Sequence, residues 1–208
     1  MITLYGTPPT RTLRAIWLLN ELGLEYETRP VDLMQGEHQQ QAFLSLNPAG
    51  KIPVLVDGDL VLTESAAIQL YLAEKYPQAG FIPDTVEERA QMHRWNFFLV
   101  TEIEQPLWRI ARQTFIYPEE QRLPQDVDQA RQECVEMVAV LERHMKEREY
   151  LVGNRLSVAD FNAAYTLDWA NEEDMLGDAP RLREFLKTMY SRPTAPPTIA
   201  EAFAALES

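Results

Sequence analysis

The sequence predicts two unlike halves: an α/β unit of order βαβαββα over residues 1–78 and an all-helical unit over residues 85–208. Three observations carry this. Short apolar runs alternate with helical spacing up to Tyr76, and past that point every periodic segment has the helical period. Residues 77–84, PQAGFIPD, have the composition of a linker. In the first half, Val54-Leu55-Val56 and Leu60-Val61-Leu62 flank Asp57-Gly58-Asp59, the strongest short-range signal for a β-hairpin.

Taken in order, residues 2–5 read as a strand, and Gly6-Thr7-Pro8-Pro9-Thr10 as a loop ending in a candidate helix cap. Leu13, Ile16, Trp17, Asn20 and Leu24 follow at helical spacing, with Gly23 as the stop. Residues 26–30 form a second strand; a helical crossover between two strands requires a parallel pair. Residues 37–46 suggest a short, irregular helix, and the hairpin comes next. Thr63-Glu64-Ser65 closes it and opens a helix running to Tyr76.

In the second half, residues 87–115 form one long helix bearing Trp95, Phe98, Leu99, Ile103 and Trp108, with a kink expected at Pro106. Residues 126–149 place Ala130, Cys134, Met137, Val138, Leu141 and Met145 on one face. Ser157-Val158-Ala159-Asp160 is a capping box with Asp in place of Glu, opening a helix through Trp169. Residues 180–190 and 197–206 complete the series.

Composition narrows the function. A net charge of −13, from 19 basic and 32 acidic residues, argues against nucleic acid, whose phosphates are met by clustered Lys and Arg. No window approaches the roughly 18 apolar residues of a membrane helix, so no membrane association is expected. No secretory signal is visible, and Cys134 has no partner for an internal disulfide; both fit a cytoplasmic protein. His38, His93 and His144 share no metal-ligand spacing, so no metal is expected. A CxxC pair, a Gly-x-Ser-x-Gly elbow and a phosphate loop are all missing.

The chemistry that remains centres on residues 47–65, NPAGKIPVLVDGDLVLTES. A helix opening at Ser65 offers free backbone N–H groups to an anion, and the Ser65 hydroxyl adds a donor. Glu64 beside it suits an ammonium. A ligand with both groups, such as the amino-acid end of a peptide, fits the pair. Pro53 cannot donate to a strand ladder, so the chain before it leaves backbone groups open to an extended ligand.

This segment resembles the glutathione site of the cytosolic glutathione S-transferases, the bacterial-type, Ser/Thr-loop branch similar to the theta and phi classes. The resemblance extends to the whole chain and implies a thioredoxin-like first domain before the helical one. It implies a cis peptide at Pro53, an Ile52 backbone that pairs with the cysteinyl part of glutathione, and a Glu64-Ser65 pair that holds the γ-glutamyl end. Thr10 falls on the position where relatives carry a thiolate-stabilising serine; Thr7 and Thr12 are rivals. No tyrosine or cysteine stands at that position, which is a departure from other branches. Arg11 and Arg14 add positive charge nearby. His38 and Gln39 fall where some relatives use His and Lys against the glycyl carboxylate. Because Gln39 carries no charge, Lys51 is the stronger candidate there.

Trp108 and Arg112 are candidates for an electrophile pocket, since that end of the long helix is expected to approach the first loop. A homodimer is implied by resemblance. The function expected is conjugation of glutathione, as cosubstrate, to small hydrophobic electrophiles. The alternatives are glutathione-dependent reduction of disulfides or peroxides, isomerisation, or a non-catalytic binding protein with the same fold.

Overall fold

A computed structural model describes residues 1–206 of the chain, which divide into two compact units. The first comprises Met1–Ile82 together with the chain from Arg192 on; the second is Pro83–Ser191. The sequence expectation ran the helical domain through to residue 208. The chain from Arg192 groups instead with the first unit, because Arg192 and Thr194 both reach the carboxylate of Glu21 at the end of the first helix.

In the first unit, β1 (Ile2–Tyr5), β2 (Tyr26–Arg29), β3 (Val54–Asp57) and β4 (Leu60–Leu62) form a four-stranded sheet in the order β2-β1-β3-β4. β1 and β2 run parallel, joined by helix α1 (Thr12–Glu21), while β1–β3 and β3–β4 are antiparallel. The mixed sheet and βαβ crossover are those expected from the sequence. The Gln-rich stretch resolves into a 3-10 turn, Glu37–Gln39, and a single-turn helix α2 (Gln41–Leu44). Helix α3 (Ser65–Lys75) follows β4.

α1 differs from the amphipathic helix read from sequence. Asn20 is exposed and Ile16 only half-buried, whereas Thr12, Leu13, Arg14, Ala15, Trp17, Leu18 and Leu19 are all buried. The helix packs against α3, and its buried residues fall on more than one side. A single apolar stripe therefore describes it poorly.

The second unit is helical: α4 (Val86–Phe98), α5 (Gln105–Ala111), α6 (Pro124–Met145), α7 (Val158–Glu172) and α8 (Pro180–Tyr190). α9 (Ile199–Ala204) belongs to the first unit. The expected long helix with a kink at Pro106 is instead a run in which the backbone widens to π-helical turns over Leu99–Glu104 and Arg112–Ile116, on either side of α5. Pro106 lacks the N–H that would bond back to residue 102, and the wider turn just ahead of it absorbs that loss.

Cys134 lies in the core of this unit, with Sγ 3.9 Å from the Ile103 carbonyl. Burial pushes its thiol up to about 12, so almost no thiolate exists near neutral pH. The folded protein is therefore expected to resist iodoacetamide at pH 8 and to take up one label only on unfolding. Rapid labelling under native conditions, read by intact mass, would contradict the burial.

Candidate functional site

The sheet register decides where the candidate residues meet. Tyr5, the last residue of β1, pairs with Val54, the first of β3, so the loop after β1 and the Ile52-Pro53 segment leave the sheet at the same end. Tyr5 also stands beside Arg29, the last residue of β2. β3 and β4 pair Leu55 with Leu62. Two residues further, that register sets Pro53 opposite Glu64, where α3 begins. One end of the sheet thus gathers Thr10, Ile52, Pro53, Glu64 and Ser65 from chain positions far apart.

Ile52 and Pro53 lie beyond the last ladder pair on both sides of β3, and their peptide bond is cis, as the resemblance implied. Ile52, like Tyr5 and Leu46, packs against the cluster of Val31, Phe43 and Val54. Its side chain is thereby anchored while its backbone runs outside the ladder. The preceding turn is built by Asn47, whose Nδ2 donates to the Lys51 carbonyl at 2.6 Å and whose Oδ1 accepts from the Ala49 N–H at 3.1 Å. Gly50 has φ +61, and a Cβ there would meet Gln39 Nε2 at 2.6 Å and the His38 carbonyl at 3.1 Å. Glycine is needed for both reasons. That close approach brings His38, Gln39 and Lys51 together, with Lys51 and Gln39 exposed and His38 half-buried.

Glu64 is exposed and holds φ 64, ψ 108, a backbone state that costs a non-glycine residue about 1–3 kcal/mol. As the residue ahead of α3 it makes no side-chain cap, and the first turn of α3 holds no acidic residue. The helix N-terminus is left with donors and positive potential. Ser65 is more covered than the sequence suggested, at 5% exposed, and its Oγ accepts from Arg14 Nη1 at 3.2 Å. Arg14, 1% exposed, is a component that sequence reasoning left undefined. The signal was present: Arg14 stands three and four residues before Trp17 and Leu18, on the face the core takes. Gln69 Nε2 donates to the Arg14 carbonyl at 3.1 Å, a second polar tie between α1 and α3.

The three threonines of the first loop have different situations. Thr7 Oγ1 donates to the Val31 carbonyl and accepts from the Val31 N–H, both at 3.0 Å, so its hydroxyl braces the loop. Thr12 is fully buried. Thr10 is partly exposed; its Oγ1 donates to the Thr7 carbonyl at 2.6 Å and accepts from the Thr12 N–H at 3.3 Å. It is thus a helix-start residue as well as an accessible hydroxyl.

In the second unit, Trp108 and Arg112 are one turn apart and half-buried. Arg112 Nη1 donates to the Tyr117 hydroxyl at 3.3 Å, and the guanidinium lies 5.7 Å from that ring's centre.

Comparison with known proteins decides the family. The glutathione S-transferase N-terminal domain model matches residues 1–74, and the C-terminal domain model matches residues 103–193. Glutathione S-transferase F9 of Arabidopsis thaliana is 31% identical, over 97% of both chains. This chain belongs to the glutathione S-transferase family. Among solved glutathione transferases, URE2P8 of Phanerochaete chrysosporium, determined with oxidized glutathione, superposes with a TM-score of 0.86 at 25% identity, covering 100% of this chain and 97% of that one. The theta-class enzyme of Xanthomonas axonopodis pv. citri, with glutathione bound, gives 0.83 at 26% identity, covering 95% and 98%. The gathered residues all lie within the stretch that the N-terminal domain model matches. Among the described residues no cluster suits a metal ion, and no helix is long and apolar enough to cross a membrane.

Proposed function

We propose that this transferase joins the sulfur of glutathione to small, apolar electrophiles. The observation that carries the proposal is the convergence at one sheet end of an accessible hydroxyl, an off-ladder backbone and an uncapped helix N-terminus beside an exposed carboxylate. Glutathione lies extended along Ile52-Pro53. Its γ-glutamyl ammonium meets Glu64, and the neighbouring carboxylate meets the first N–H groups of α3 and the Ser65 hydroxyl. Ser65 suits that role because its oxygen already accepts from Arg14, which directs its own proton elsewhere. Ile52 exchanges backbone hydrogen bonds with the cysteinyl residue. Lys51, helped by Gln39 and His38, meets the glycyl carboxylate. Thr10 faces the sulfur, since Thr7 is spent on Val31 and Thr12 is enclosed. Trp108 and Arg112 border the electrophile, and two copies of the chain pair as a homodimer.

A scaffold without a ligand fits less well. Backbone strain at an exposed carboxylate that makes no side-chain cap suits a ligand contact better than a purely structural role.

Calorimetry tests the binding half. Glutathione is expected to bind, and Ser65→Ala or Glu64→Ala to weaken it by roughly 10-fold or more, the value of one charge-assisted hydrogen bond. No heat at millimolar glutathione would remove every glutathione-dependent reading at once.

A further inference from the structure

We propose that Thr12 is a positioning residue for the thiolate-stabilising hydroxyl: its buried side chain fixes the oxygen of Thr10 as an acceptor and leaves that residue one proton to give. The inference rests on the reading of Thr10 as the group that faces sulfur. Thr12 Oγ1 lies 2.8 Å from Thr10 Oγ1, and among the described residues this is the hydroxyl's one partner. Thr10 has a single proton, which without a ligand goes to the Thr7 carbonyl at 2.6 Å and must turn from it to reach a sulfur. The contact between the two hydroxyls therefore has Thr12 as donor. Among the described residues the fully buried Thr12 hydroxyl makes no second hydrogen bond, and stranding it is costly.

The Thr12 N–H also donates to Thr10 Oγ1, at 3.3 Å. Both hydrogen bonds that the Thr10 oxygen receives thus come from one residue. Gly6 makes the room in which that residue sits. At φ +153 its backbone lies so close that a Cβ would fall 2.2 Å from Thr12 Oγ1 and 2.8 Å from Cγ2. An oxygen that accepts two hydrogen bonds is polarised and becomes a stronger donor. The proton rests on the Thr7 carbonyl in this structure and swings to the sulfur when glutathione binds, while Thr12 goes on donating to the oxygen. Bound glutathione thiolate gains from that arrangement even though Thr12 does not touch it.

The test uses the full-length protein with glutathione and an aryl halide. Thr12→Val keeps the shape and removes the hydroxyl; Thr12→Ser keeps the hydroxyl. Thr12→Val should raise the apparent pKa of bound glutathione, read from thiolate absorbance against pH. It should also lower kcat at pH 6.5 by roughly 3- to 10-fold, the worth of one hydrogen bond, with KM for glutathione little changed. Thr12→Ser should restore both. In a Thr10→Ala background, Thr12→Val should have no further effect. Should Thr12→Val fail to fold, Thr12→Ala deletes the same hydroxyl and is read the same way. An unmoved pH profile in Thr12→Val, where Thr10→Ala moves it, overturns the role of Thr12 alone. If Thr10→Ala leaves the profile unmoved, the reading of Thr10 fails and takes this one with it.

Discussion

Replacing Asp160 with alanine is expected to lower the unfolding free energy by about 3–5 kcal/mol, enough to cancel much of a typical domain's stability. Asp160 is 0% exposed in the first turn of α7. Its Oδ1 accepts from the Leu151 N–H at 2.8 Å, and its Oδ2 accepts from the Ser157 N–H at 2.8 Å and the Ser157 hydroxyl at 2.9 Å. Truncation strands two buried N–H donors that nothing nearby replaces, and it opens the start of a helix whose whole first turn is buried. Asp160→Asn retains one acceptor but turns an NH2 toward one of those donors, so an intermediate loss is expected. Urea unfolding followed by far-ultraviolet circular dichroism measures both. A midpoint unchanged in Asp160→Ala would mean that the helix start is held elsewhere.

The same residue gives a pH signature of unusual sign. Burial outweighs the hydrogen bonds it accepts and raises its carboxyl to about 6, from an ordinary 3.8. A carboxyl with a raised folded-state pKa is favoured in its neutral form on folding. Its contribution is therefore greatest below the unfolded value and declines as pH rises toward 6. The stability gap between wild type and Asp160→Ala should widen as pH falls from 6 to 4, by at most about 1.4 kcal/mol per pH unit. A paired surface carboxylate such as Asp126, whose carboxyl is held low chiefly by Arg109, behaves in the opposite way.

Much of this fold was legible because its signals are local. The Asp57-Gly58 hairpin, the crossover between β1 and β2 and the Ser157–Asp160 box each depend on residues a few positions apart, and each forms. Signals that depend on what a helix packs against were harder to read. The buried polar face of α1 was not legible from an apolar stripe, because Arg14 meets in the interior a serine 51 residues away. The attachment of the chain from Arg192 to Glu21 spans 171 residues and has no local mark at all. At Pro106 the sequence identified the position of disturbance but not its form, since a missing N–H permits a wider turn as well as a kink. In the first loop the motif put Thr10 at the serine's position with Thr7 and Thr12 as rivals, and the different hydrogen bonds and burial of the three had no mark in the sequence.

Thr10→Ala is expected to cost conjugation about 10- to 100-fold in rate at pH 6.5, with a much smaller effect on glutathione affinity. Free glutathione's thiol should titrate near a cysteine, about 8.5, which leaves a few per cent thiolate at neutral pH. Lowering it by about two units requires roughly 2.7 kcal/mol of preference for the anion. One hydrogen bond to a charged group supplies about 1.5–3 kcal/mol, and the start of α1 adds up to about 1 kcal/mol, so the hydroxyl is the larger share. Affinity changes little because Glu64, Ser65 and the Ile52 backbone grip parts of glutathione remote from the sulfur. Alanine also removes the acceptor of the Thr12 N–H, so a modest fall in melting temperature is expected whatever the chemistry. The decisive measurement is the thiolate absorbance of bound glutathione against pH. A titration moved up toward 8.5 supports the assignment, and Thr10→Ser should return it. If the curve stays in place while stability alone falls, Thr10 merely starts a helix and the thiolate is held by some other donor.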